Sequence, residues 1–280
     1  REVVLRAGAG ARGAIAQVQL APGLGAVAGR DGFDAVLVTV KHRDTAAVGQ
    51  QLRAALDRGA LGPHPAVVTV QNGVGNVEIL RDSLRAAVPV LQGLTYSGVG
   101  LVGPLDALAT GPGRTFIELA QDAATAETVA CLADTYSQGL EPAEAMVVSD
   151  NVQAMLWTKL LVNSVVNPLA TLLDCPNGGI TAPRLDRLVA QACAEFEAVA
   201  QAEGVRLELG DKPAPEFVKD VCRATATNAC SMVSDVRAGR PTEIEAMTGF
   251  VTRRAAAHGV QAPALAALYH LVLALEPRGD

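Results

Sequence analysis

AVVTVQNG, residues 66–73, is the segment on which the reading of this chain turns. Its first part is short, apolar and β-branched, the composition of a strand buried on both faces. It stops at Gln71-Asn72-Gly73, a turn signal. Upstream, DAVLVTVK at 34–41 has the same character, and helical spacing fills 44–57 between the two. Downstream, 75–87 reads as a helix and 88–97 as another strand. Strand, helix, strand, helix, strand predicts a parallel sheet with right-handed crossovers. Residues 114–120 and 145–148 are candidate further strands, with a helix near 124–138 between them.

Past about residue 150 the period changes. Residues 152–166, 183–203, 215–236, 242–258 and 263–275 all carry helical spacing, with no strands among them. The expected fold class is α/β: a Rossmann-like parallel sheet, shortened at its start, followed by an all-helical C-terminal domain. The expected domains are 1–150, binding dinucleotide, and 151–280, binding substrate and carrying the catalysis.

Composition narrows the chemistry. Half of the 280 residues are hydrophobic and only 3% are aromatic, so the core must be built from Ala, Val and Leu. The net charge of −6, with no basic patch, argues against nucleic acid as a partner. The five cysteines form no C-x-x-C pair and the four histidines have no ligand spacing, so no metal is expected. No uninterrupted apolar run is long enough to span a membrane. Scattered reduced thiols and the lack of a signal peptide at the start predict a cytoplasmic protein. The chain opens on Arg rather than Met, which suits a sequence that begins partway into a longer one.

Gly8, Gly10 and Gly13 spell G-x-G-x-x-G after EVVL. In a dinucleotide fold such glycines allow a tight turn and close backbone approach to the pyrophosphate. However, Arg6 would end a strand that should be buried, and the Pro-Gly-rich stretch near Ala21 stands where a ribose-binding residue belongs. On the alternative reading, residues 2–5 are already the second strand. Arg6 or Arg12 would then meet a 2′-phosphate, and the true glycine loop would lie upstream of residue 1. The residues favour this second reading slightly.

The chemistry concentrates in WTKLLVNSVVNPLATLLDCPNG, residues 157–178. Lys159, Asn163 and Asn167 are four apart and share one helix face. Their neighbours Leu160, Leu161, Val165 and Val166 are apolar, so the helix should be buried, and buried polar groups need polar partners. A substrate is one such partner, with Lys159 as its proton donor. Pro168 should kink or restart the helix after Asn167. Near the C-terminus, Thr242 and Glu245 have capping-box spacing, which leaves Glu243 at the first helical position and free of the cap.

Four segments together resemble the ketopantoate reductase (2-dehydropantoate 2-reductase) family: LVTVK at 37–41, QNGVGNVE at 71–78, residues 157–178 as quoted, and SMVSDVRAGRPTEIEAMTGF at 231–250. The likeness runs from about residue 30 to about residue 270. It implies a Rossmann domain and a helical domain with the active site in the cleft between them, and reduction of 2-dehydropantoate to pantoate with NADPH, toward pantothenate and coenzyme A. Carried over, Lys159 matches the catalytic lysine. Asn163, Asn167, Asn177 and Ser231 match substrate-binding positions, and Asn72 a residue touching both nicotinamide and substrate. Lys41, Glu243 and the backbone near Gly98 and Val99 match cofactor contacts. The expected partner is a small 2-oxo acid, and the expected assembly a monomer or homodimer. Two alternatives stay open: a sibling reductase of another small 2-oxo acid, and a non-catalytic binding relative that lost the cofactor loop.

Overall fold

A computed structural model of the protein describes residues 2–7, 14–17, 33–59, 61–62, 65–85, 88–103, 106–111 and 113–277. The chain divides into two units: Arg1–Gln71 with Asn76–Val152, and Asn72–Gly75 with Gln153–Asp280.

In the first unit, β3 (Ala35–Val38), α1 (Thr45–Asp57), β4 (Ala66–Thr69), α2 (Asn76–Leu84) and β5 (Val90–Thr95) follow in the expected alternation. They are joined by β8 (Thr115–Glu118), α3 (Ala123–Ser137) and β9 (Met146–Ser149). The sheet order is β3-β4-β5-β8-β9. Its pairs β3–β4, β4–β5 and β8–β9 are parallel, whereas β5–β8 is antiparallel. The reversal has a topological cause. The chain leaves β5 through an excursion of two strands rather than a helical crossover, and a parallel return needs the crossover.

Strand β4 is buried along its whole length. Val67 packs with Leu52 of α1 and Leu80 and Leu84 of α2. Ala66 and Val68 point the other way, to Ile117, Val129 of α3 and Met146. Side chains alternate across a strand, so helices on both faces require the continuous apolar run that 66–70 shows.

The excursion is β6 (Gly98–Gly103) and β7 (Asp106–Gly111), which build a second sheet with β1 (Glu2–Ala7) and β2 (Ala14–Gln17) in the order β2-β1-β7-β6. This corrects the strand assignment in both readings of the opening residues. Strand β1 pairs antiparallel with β2 and parallel with β7, so both its edges are occupied and it is not a strand of the β3-β4-β5 sheet. Gly8, Gly10, Gly13 and Arg12 lie outside the described residues.

The second unit is helical: α4 (Val152–Leu172), α5 (Asp186–Ala202), α6 (Ala214–Ala224), α7 (Ser231–Arg237), α8 (Thr248–His258) and α9 (Pro263–Leu273). Trp157 of α4 meets Phe196 of α5 and Phe250 of α8 edge-on, at centroid distances of 5.9 and 6.1 Å. Glu195 is buried, and its carboxylate accepts the Ala264 and Leu265 amides at 3.0 and 2.9 Å, capping the N-terminus of α9.

Three helical expectations are corrected. Of the kink or restart expected at Pro168, the restart does not occur: α4 continues through it to Leu172. Proline removes the amide that would bond the carbonyl four residues back. Here the buried Thr248 hydroxyl donates to that Ser164 carbonyl instead, at 3.2 Å. The helix expected over 215–236 is two, α6 and α7. The carbonyls of Ala226 and Asn228 between them accept the Gly178 and Asn177 amides rather than continuing a helix. The capping box forms only in part: Thr242 accepts the Ile244 amide at 3.2 Å, but its own amide goes to Glu276 at 2.8 Å. Glu245 turns instead to Arg253 and Tyr269. A single 3-10 turn, Ile244–Ala246, therefore precedes α8.

Candidate active site

Helix α4 presents Lys159, Asn163 and Asn167 at successive turns. The turn Asn72–Gly75 follows β4 in sequence but packs with the helical unit. Gly73 and Gly75 have φ of +77° and +89°, which side chains disfavour. The Val74 amide donates to the Ala246 carbonyl at 3.0 Å. A Cβ on Gly73 would lie 2.4 Å from that same oxygen, so only glycine permits this seat. The seat brings Asn72 to α4, where the Lys159 ammonium donates to its Oδ1 at 2.9 Å.

Lys159 keeps part of its surface accessible, but its ammonium is desolvated. Burial lowers its pKa to about 8, and the neighbouring Glu243 carboxylate works in the opposite direction. Glu243 is itself buried, just ahead of the 3-10 turn. Buried Asn167 donates from Nδ2 toward the Met247 sulfur at 3.6 Å, a soft acceptor. Asn163, between the two, is half-buried. The result is a cation near neutral titration, a carboxylate beside it and amides along one face. Such a set can polarise a carbonyl and protonate its oxygen.

Two family models match the chain. "Ketopantoate reductase PanE/ApbA" covers residues 15–122, and its C-terminal counterpart covers 151–276. A curated 2-dehydropantoate 2-reductase of Vibrio cholerae is 34% identical over 244 residues, 87% of this chain and 78% of that one. This chain belongs to the ketopantoate reductase family. The family is one of oxidoreductases. The 2-dehydropantoate 2-reductase of Halobacterium salinarum is 33% identical over 240 residues, covering 85% of this chain and 75% of its own. The crystal structure of the PanE/ApbA family ketopantoate reductase from Ralstonia eutropha superposes with a TM-score of 0.79 at 26% identity, covering 98% of this chain and 84% of that one.

The other residues singled out in this family member lie on other elements. Asn177 donates from Nδ2 to Thr225 at 3.0 Å, and its Oδ1 is buried without a partner among the described residues. Ser231 is exposed and opens α7, whose Asp235 is paired with Arg240 at 3.0 Å. In the sheet unit, Lys41 is half-buried beyond the end of β3, and its carbonyl accepts the Asp44 amide. Val99 stands on β6, 60% exposed. Among the described residues, no helix is long and apolar enough to cross a membrane, and no group of three or more His, Cys, Asp or Glu could hold a metal.

One polar cluster escaped the sequence reading. Gln71 is buried and donates to the Val40 carbonyl and the Thr45 hydroxyl, both at 2.8 Å, while accepting from Thr69 at 2.8 Å. Thr45 in turn donates to Asn76 Oδ1 at 3.1 Å, and His42 Nδ1 meets the same oxygen at 2.7 Å. The network ties the ends of β3 and β4 to the starts of α1 and α2. Its only sequence signal is a run of polar residues immediately after two apolar strands.

Proposed function

We propose that this chain reduces 2-dehydropantoate to pantoate with NADPH, a step toward pantothenate and coenzyme A in the cytoplasm. The observation that carries the reading is Lys159, a lysine with its pKa lowered to about 8 and hydrogen-bonded to Asn72 at 2.9 Å, in a member of this family. On this reading the sheet unit binds the dinucleotide and the helical unit the substrate.

Bound NADPH supplies the hydride. As negative charge grows on the substrate's carbonyl oxygen, the Lys159 ammonium stabilises it and gives up a proton from Nζ. A donor with a pKa of about 8 is charged at neutral pH yet releases its proton far more readily than an ordinary lysine. Glu243 keeps the ammonium charged between turnovers. Asn163, Asn167, Asn177 and Ser231 supply donors and acceptors for the substrate carboxylate and hydroxyl, and Asn72 orients Lys159.

The donor set suits a pyridine dinucleotide. Lys41 offers a cation beyond the end of β3 in a doubly wound sheet, where such ligands bind. The backbone at Val99, Asn72 and Glu243 complete the proposed contacts.

The test is NADPH oxidation, followed by its near-ultraviolet absorbance, with 2-dehydropantoate and a panel of other small 2-oxo acids. Turnover highest with 2-dehydropantoate supports the proposal. A strong preference for another 2-oxo acid would replace the substrate, and failure to bind any dinucleotide would leave a non-catalytic binding protein.

A further inference from the structure

Three consecutive residues, Ala246, Met247 and Thr248, each grip a different part of the site. The Ala246 carbonyl holds the Val74 amide and so seats the turn bearing Asn72. The Met247 sulfur faces the Asn167 amide. The Thr248 hydroxyl donates to the Ser164 carbonyl of α4. All three residues are buried to 1% exposure or less.

The third contact has a specific cause. In α4 the Ser164 carbonyl would ordinarily accept the amide of residue 168, but residue 168 is proline and has none. A carbonyl left bare in this core is costly. Ser164 is fully buried, so bulk solvent does not reach it. Thr248 supplies the missing donor from another helix, at a point between Asn163 and Asn167.

We propose that Thr248 is a positioning residue. Its hydroxyl replaces the amide that Pro168 lacks and thereby fixes the Lys159–Asn167 face of α4 against the same turn that seats Asn72. The backbone is held firmly by Thr248, while the partner of the Asn167 side chain among the described residues is a thioether. That soft partner yields to a substrate carboxylate, so the amide is aimed in advance and free to exchange. This assignment rests on reading the Asn163–Asn167 face as substrate-binding.

The test compares wild type with Thr248→Val, Thr248→Ser and Thr248→Val combined with Pro168→Ala, all checked for folding by circular dichroism. Valine keeps the shape and removes the donor. Serine keeps the donor. Alanine at 168 restores the helical amide to the Ser164 carbonyl and makes the hydroxyl redundant. Thr248→Val should raise KM for 2-dehydropantoate about tenfold with a smaller change in kcat, the scale of one lost hydrogen bond. Thr248→Ser and the double variant should return toward wild type. The side-chain amide resonance of Asn167, which needs no substrate, should shift in Thr248→Val and recover in the double variant. An unmoved resonance, an unchanged KM, or no rescue by Pro168→Ala would overturn the proposal. Absent turnover in wild type would instead refute the proposed reaction, and the resonance would still decide the role of Thr248.

Discussion

The lowered pKa of Lys159 makes a signed prediction about pH. Moving the group from 10.5 to about 8 corresponds to about 3 kcal/mol of disfavoured charge, at about 1.4 kcal/mol per unit. If the ammonium is the proton donor, kcat for reduction should hold below about pH 8 and then fall about tenfold per pH unit. An ordinary lysine would sustain turnover to about pH 10. Glu243→Gln sharpens the test. It removes the negative charge that holds the ammonium up and leaves the burial that pushes it down. The alkaline limb should therefore move to lower pH, and turnover at pH 8 should drop. The assay is steady-state NADPH oxidation from about pH 6 to about pH 10, with NADPH saturating so that a weakened cofactor contact does not mimic the shift. A wild-type profile flat to the alkaline end, or a limb that moves upward in Glu243→Gln, would refute the reasoning.

Three other predictions follow from the geometry. Lys159→Met removes a buried charge. The folded lysine sheds its proton near pH 8 and the unfolded one near 10.5, so its penalty is fully present at neutral pH and fades between those values. The inactive Met variant should therefore unfold at higher temperature than wild type at pH 7, by an amount equivalent to about 1–3 kcal/mol, and lose that advantage above about pH 10. Gly73→Ala places a Cβ 2.4 Å from the Ala246 oxygen at a φ of +77°. It should cut turnover by about a hundredfold as Asn72 leaves Lys159, a cost of about 1–3 kcal/mol in strain being visible in thermal denaturation. Glu195→Gln can accept only one of the two α9 amides well, and should lower stability by about 1–3 kcal/mol in urea titrations while leaving KM near wild type.

Much of the sheet unit was legible because its signals are local. The runs at 34–41, 66–70 and 88–97 contain β3, β4 and β5, the 114–120 segment contains β8, and the 124–138 and 145–148 segments match α3 and β9 to within one residue. The β6–β7 hairpin was missed because GVGLVG and DALATG are rich in small residues and take their strand character from pairing, β6 with β7 and β7 with the distant β1. The same pairing removed β1 from the sheet where its apolar run had suggested it belonged.

In the helical unit, period alone placed Lys159, Asn163 and Asn167 on one face. It could not show that Asn72, distant in sequence, reaches Lys159, because that depends on two positive-φ glycines and the Ala246 carbonyl. Pro168 looked like a helix break because sequence shows the missing amide and not the Thr248 hydroxyl that compensates for it. Thr242 and Glu245 have the spacing of a capping box, yet Glu276 outcompetes Glu245 for the Thr242 amide, and Glu245 is drawn off by Arg253 and Tyr269. In each case a tertiary partner overrode a local preference.

The most direct test of the central claim is the turnover of Lys159→Ala beside wild type, with NADPH and 2-dehydropantoate, on protein shown to be folded. Loss of kcat by a factor of about 10²–10⁴ in the variant, with wild type active, is what a buried ammonium acting as proton donor predicts. Turnover within about twofold of wild type would contradict it.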